Sequence, residues 1–263
     1  SIRSGMRAWN GLFFKEGEFK PDPNKSAEWN RGAYLVQGPG HCGACHTPKN
    51  VAGADKTSEA FQGAQLQGWS APNITNDDLK GLGGWSVDDV AAYLKTGHNR
   101  ITAATGIMAE EINFASSKMT DSDLKAIAIY LKSLPGDRET HDKLAADDPA
   151  MKAGHAIYRD QCAACHMIDG KGVPHLFPSL ADASVLRSRD PRTAIRLVLS
   201  GARTVATKGE PTAPGMPSYA HMLKDDEIAA VLTYARNAWG RAAPPVTADD
   251  VAKARKDLQA RND

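Results

Sequence analysis

Two pentapeptides hold the most reactive side chains of this chain: Cys42-Gly43-Ala44-Cys45-His46 and Cys162-Ala163-Ala164-Cys165-His166. Between them they contain all 4 cysteines, and both read C-x-x-C-H. Two thiols three positions apart on a helical turn can each add to a vinyl group at one edge of a porphyrin, and the next residue then projects its imidazole to the iron. The pattern therefore predicts two covalently bound haem c groups, with His46 and His166 as iron ligands. Competing chemistries explain it less completely. A thioredoxin-like dithiol needs a βαβ setting and no histidine after its second cysteine. A four-thiolate zinc site needs the pairs to converge, yet each pair opens its own repeat.

An iron held by one histidine takes a second axial ligand on its far face, and the natural place for one is the loop ahead of the last helix of each half. In the second half this is Met216, in Pro214-Gly215-Met216-Pro217-Ser218-Tyr219, where flanking prolines stiffen the chain that presents the sulfur. In the first half it is Met108, in Gly106-Ile107-Met108-Ala109-Glu110. Met222 is the rival in the second half but is expected to pack in the core, and Met119, one residue before a helix cap, reads as a hydrophobic staple. Met6, Met151 and Met167 lie outside these loops and read as packing or surface. His41, His98, His141, His155, His175 and His221 are expected to be polar surface or hydrogen-bonded core.

The elements that position these groups recur in the two halves. Trp29–Val36 and Lys152–Tyr158 each read as a short helix leading into a pentapeptide, with Ser26 and Asp148-Pro149 as their starts. Thr120-Asp121-Ser122-Asp123 opens a helix with Leu124, Ile127, Ala128, Leu131 and Leu134 on one face, stopped by Pro135-Gly136. Its counterpart runs from Asp225, with Ile228, Val231, Leu232, Ala235 and Trp239 on one face, to Gly240. Each half has one more helix between these: Ser86 to Lys95, ending at Gly97, and Asp190-Pro191 to Leu199, ending at Gly201. No stretch alternates with period two for long enough to make a sheet. The reading is a duplicated all-α unit.

Composition fits a chain of two small cores. The 263 residues suffice for two domains, and 32 basic against 31 acidic residues create no field directed at nucleic acid or an anionic membrane. Aromatic content of 6% is thin, as expected where a large apolar cofactor fills part of each core. No uninterrupted apolar run is long enough to span a bilayer. The chain opens at Ser1 without a charged-then-apolar leader, as expected of a processed mature chain or a piece of one.

The order of first helix, haem site, long loop and two further helices resembles class I cytochrome c, in which the first and last helices cross at a glycine and an aromatic ring. Gly32 with Tyr130 and Gly154 with Tyr234 are the matching pairs. The resemblance implies two tandem domains, at residues 28–138 and 148–241, flanked by a lead-in at 1–27, a linker at 139–147 and a polar C-terminal tail at 242–263. It also implies that the backbone carbonyl of Pro178, in Phe177-Pro178-Ser179-Leu180, fixes the His166 ring, and that Pro72, in Ala71-Pro72-Asn73-Ile74, does the same for His46.

Much of the first half is more specific than this. Trp29–Val36, Gly40–Lys49, Trp69–Thr75, Gly83-Gly84-Trp85-Ser86, Tyr93–Gly97 and Ala126–Pro135 look like the cytochrome c subunits of membrane-bound alcohol, gluconate and sugar dehydrogenases. Those subunits usually carry three haem signatures; this chain has two, and its opening Met6–Lys15 resembles the connector after the family's first haem domain. The family's membrane anchor is not matched by Thr247–Asp263, which is polar and charged. The resemblance implies a periplasmic electron relay with no catalytic residues of its own. Its donor would be a dehydrogenase subunit with a quinone-type, flavin or molybdenum centre. Its acceptor would be ubiquinone, another cytochrome or a terminal oxidase, with membrane contact only through a complex or a missing segment. The alternatives are a catalytic di-haem cytochrome of the peroxidase or thiosulfate dehydrogenase type, and a free soluble shuttle.

Overall fold

The computed structural model describes residues 2–136 and 141–260 and is predominantly helical. The expected end of the first domain at 138 and start of the linker at 139 lie outside the described residues, as does the end of the tail. In chain order the elements are helix α1 (Ile2–Phe13), helix α2 (Ala27–Gln37), the single turn α3 (Gly43–His46), a hairpin of β1 (Ala64–Leu66) and β2 (Trp69–Ala71), and helices α4 (Val87–Thr96), α5 (Gly106–Phe114) and α6 (Asp121–Ser133). There follow α7 (Pro149–Gln161), the single turn α8 (Ala163–His166), α9 (Arg192–Ser200), the short strands β3 (Ala202–Arg203) and β4 (Gly215–Met216), α10 (Asp225–Asn237) and α11 (Ala248–Ala260).

Local chemistry sets the helix starts. The Ser26 hydroxyl accepts from Trp29 N, Thr120 from Asp123 N, and the Asp148 carboxylate from Ala150 N ahead of Pro149 at the first helical position. Ser86 and Asp89 cap α4 reciprocally. In each half the helix before the pentapeptide crosses the last long helix of that half, α2 on α6 and α7 on α10, at a glycine. A Cβ on Gly32 would lie 2.0 Å from the Ala126 carbonyl oxygen, and one on Gly154 would lie 2.1 Å from that of Ala230. The backbones touch there, and the aromatic rings of Tyr130 and Tyr234 close over the crossings.

Two apolar cores result. One gathers Val36, Phe61, Trp85, Leu124, Ile127 and Tyr130; the other gathers Leu186, Ile195, Leu199, Ile228, Leu232 and Val251. Burial of these side chains away from water is the main favourable term for each half.

The sequence reading is corrected in four places. The fold is not purely helical: β1 pairs antiparallel with β2 through a turn at Gln67-Gly68, both at positive φ, and β3 pairs with β4. Strands of three and two residues are too short to carry a readable alternation. The first half has two helices between α3 and α6 where one was expected, because Met108 sits in α5 and not in a loop. The lead-in contains a helix, α1, tied down where Trp9 Nε1 donates to the Ala52 carbonyl at 2.9 Å. The polar tail is mostly α11, which packs on α9 and α10. Val251 is fully buried in the second core, and Arg255 donates to Asp225 Oδ1 at 2.8 Å and to the Ala220 carbonyl at 2.6 Å.

The helix crossing generates a test. Gly154→Ala is expected to destabilise the haem-loaded chain by about 1–3 kcal/mol, the cost of forcing a carbon into packed interior, although alanine is the better helix former. Guanidinium unfolding of the two proteins measures the difference.

Candidate haem-binding sites

Each pentapeptide is one turn of helix. His46 N donates to the Cys42 carbonyl at 3.0 Å and His166 N to the Cys162 carbonyl at 3.0 Å, which puts the two thiols of each pair and the following imidazole on adjoining faces of that turn. No disulfide joins any of the four cysteines. Burial pushes the Cys42 and Cys162 thiols up to about 11. Catalytic dithiols and zinc thiolates need the opposite shift. Among the described residues no group of three or more His, Cys, Asp and Glu side chains is placed to hold a metal ion.

The imidazoles are oriented alike. His46 Nδ1 donates to the Pro72 carbonyl at 2.7 Å, and His166 Nδ1 donates to the Pro178 carbonyl at 2.9 Å. With Nδ1–H engaged, Nε2 carries the lone pair and is the atom left free to coordinate. Burial lowers the pKa of both histidines, the carbonyl contacts opposing it, which keeps the neutral, ligating form.

The backbone around each ring is fixed by a second shared device. Gly63 N donates to the His46 carbonyl at 2.8 Å and Gly172 N to the His166 carbonyl at 3.0 Å. Both glycines have positive φ, and both press against the proline segment. A Cβ on Gly63 would lie 2.8 Å from the Ala71 oxygen, and one on Gly172 would lie 2.5 Å from the Pro178 oxygen. In the second half Tyr158, fully buried, donates its hydroxyl to the Met167 carbonyl at 2.6 Å, holding the residue after His166 in its unusual backbone conformation (φ 59°).

The two methionines are presented differently. Met216 lies in β4 paired with Ala202 of β3, so a short ladder as well as the flanking prolines fixes it. Three residues on, the Tyr219 hydroxyl donates to the Gln161 carbonyl at 2.8 Å, next to Cys162. Burial, and then the nearby Cys162 and Cys165 sulfurs, raise the Tyr219 pKa. The β4 segment therefore runs beside the second pentapeptide. Met108 lies in α5, half-buried against Ala104, Ile112 and Val205. One turn later Glu111 is close enough to Cys42 to raise its thiol pKa, which places α5 beside the first pentapeptide.

Met119 packs against the first core next to its cap residue. Met222, on the turn ahead of Asp225, is 61% exposed and not in the core. Among the spare histidines His98 is buried and donates from Nε2 to the Val205 carbonyl at 2.9 Å, and His175 Nδ1 meets Glu210 Oε1 at 2.8 Å. Sequence reasoning gave no role to Glu111, Tyr158 or the two glycines. Glu111 had no signal without α5, whereas the glycines stand ahead of Pro72 and Pro178 in both halves.

The donor sets, paired thiols beside a neutral imidazole whose Nε2 is free, match the chemistry of haem c. A cytochrome c family model matches residues 151–239. Cytochrome c-552 of Thermus thermophilus is 40% identical over 115 residues, which cover 40% of this chain and 76% of the Thermus protein. The chain belongs to the cytochrome c family. This cytochrome is also 38% identical, over 97% of its length, to the cytochrome c subunit of the quinone alcohol dehydrogenase of Gluconacetobacter polyoxogenes, and 36% identical, over 98%, to that of the gluconate 2-dehydrogenase of Pantoea cypripedii. It spans 58% and 63% of the length of those two relatives. Membership brings covalent haem c with it, and the thioether-forming cysteines and oriented histidine fit that group in residue type and hydrogen bonding.

Removing the Tyr158 hydroxyl tests the frame around His166. Tyr158→Phe leaves the Met167 carbonyl without its donor and is expected to cost about 1–3 kcal/mol, read as a lower denaturant midpoint at unchanged slope.

Proposed function

We propose that this cytochrome carries two haem c groups in two tandem cytochrome c domains and relays electrons from a dehydrogenase subunit to the respiratory chain. Cys42, Cys45, His46 and Met108 would hold one group, and Cys162, Cys165, His166 and Met216 the other. Bound there, each haem supplies a one-electron ferric/ferrous couple. The observation that carries the reading is the repetition, in both halves, of one hydrogen-bonded arrangement. A pentapeptide turn, an imidazole donating to a proline carbonyl and a glycine donating to the histidine carbonyl recur together.

The protein's share of the work is to hold. The pentapeptides would fix position covalently, and Pro72 and Pro178 set ring orientation, so that little rearrangement would accompany a change of charge. Dehydrogenase cytochrome subunits among the relatives support a dehydrogenase as the donor, and ubiquinone, another cytochrome or an oxidase suits the acceptor role. A periplasmic location agrees with covalent haem attachment. No helix among the described residues is long and apolar enough to cross a membrane.

Intact mass of the chain, produced with its haem-attachment machinery, is expected to exceed that of the polypeptide by two haems, and a pyridine haemochrome assay to give two per chain. Met108→Leu and Met216→Leu are each expected to halve the methionine-to-iron charge-transfer absorption without loss of covalent haem. A mass of bare polypeptide, or one haem with no methionine signal in the unaltered protein, contradicts the relay.

A further inference from the structure

The carbonyls that orient the two imidazoles are themselves held from the opposite half. Pro178 is followed by Ser179, whose N–H donates to the Ile101 carbonyl of the first half at 2.8 Å. Pro72 is preceded by β2, and Ser70 within it is gripped by Thr193 of α9. The Thr193 hydroxyl accepts from Ser70 N at 2.8 Å and donates to Ser70 O at 3.0 Å. One hydroxyl therefore satisfies both backbone groups on the open edge of a strand that would otherwise face water.

Neighbouring contacts seat α9 on the same hairpin. The Arg196 guanidinium lies 4.6 Å from the centre of the Trp69 ring, and Gln65 Nε2 donates to Asp190 Oδ2 at 2.9 Å. The Trp69 ring in turn lies against Gly106 at the start of α5, two residues before Met108. The β2 strand thus touches both the segment that orients His46 and the helix that carries Met108. Its edge is anchored by a single buried side chain, Thr193, from the other half.

We propose that Thr193 is a positioning residue for the haem site of the opposite half, fixing Ser70 so that the Pro72 carbonyl stays in line with His46 Nδ1. This rests on the two-haem reading above. Strong donation from Nδ1 makes the imidazole a more basic ligand, which favours the ferric state. Loosening the carbonyl raises the midpoint potential of the first site and leaves the second alone.

The test uses the full, haem-loaded chain and a spectroelectrochemical titration, with haem stoichiometry measured on every variant. Met108→His marks which of the two couples belongs to the first site. Thr193→Val, which keeps the shape and removes the hydroxyl, is expected to shift that couple upward by about tenfold in its one-electron equilibrium constant, about 59 mV. Thr193→Ser is expected to restore it. Gln65→Ala, which removes another contact between the halves and leaves Ser70 held, is expected to move neither couple. If Thr193→Val loses haem, Thr193→Ala is read in the same way. Two haems with an unmoved first couple, equal shifts in both couples, failure of serine to restore, or the same shift in Gln65→Ala overturns the positioning role alone. Fewer than two haems in the unaltered chain overturns the reading beneath it.

Discussion

A buried neutral imidazole is held with its Nε2 bare when its Nδ1–H is given to an acceptor, and in a buried site that acceptor must come from the protein. In this chain it is a proline carbonyl, Pro72 for His46 and Pro178 for His166. Much of each half serves that contact. The pentapeptide turn carries the ring, a positive-φ glycine ties the histidine carbonyl to the backbone, and the proline segment lies against that glycine at a distance no side chain would allow. Proline suits the acceptor position because its fixed φ stiffens the segment and its missing N–H leaves no donor to satisfy. The helix crossings at Gly32 and Gly154 then set where the pentapeptide emerges, since each follows directly on the crossing helix.

Burial acts in the same direction on all these groups. It lowers the histidine pKa values and raises those of the Cys42 and Cys162 thiols, so it favours the neutral form of each. That is a poor environment for a thiolate metal site and a suitable one for attaching and enclosing a porphyrin. The contact between halves follows the same economy of backbone groups. Ser70 and Ile101 offer edge groups close to the ring-orienting prolines, and Thr193 and Ser179 satisfy them.

What could be read in the residues was whatever depends on local spacing. The pentapeptides and the caps at Ser26, Ser86, Thr120 and Asp148 are set by interactions within a few positions, whereas the glycine–tyrosine pairs came only with the resemblance to class I cytochrome c. What escaped depends on partners far along the chain. Residues 248–260 look polar because only Val251 and its neighbours on one face are buried, and their partners, α9 and α10, lie earlier in the chain. Arg255 reads as a surface charge, yet its guanidinium satisfies two carbonyls and a carboxylate at the start of α10. The β1–β2 hairpin is too short for its alternation to rise above chance, and its turn residues, Gln67-Gly68, are a weaker signal than Asn-Gly.

The two halves reach their methionines by different local structures, and composition explains why. Pro211, Pro214 and Pro217 surround Met216; proline removes the donor a helix needs and bars the preceding residue from helical backbone, so the chain there stays extended and pairs with Ala202-Arg203. Around Met108 the run Ile107-Met108-Ala109-Glu110-Glu111-Ile112 contains no proline and several good helix formers, and it closes into α5. The helix brings with it what the extended strand cannot: residues three and four apart share a face, so Met108, Glu111 and Ile112 are carried together, Ile112 into a small cluster with Val205 and Glu111 to the side of Cys42. That cluster is where the second half reaches into the first, with Val205 N donating to the Ala104 carbonyl at 3.3 Å and the Val205 side chain fitting against Gly97. The first half thus has an extra helix whose apolar face the second half covers, which makes the two halves complementary and not interchangeable.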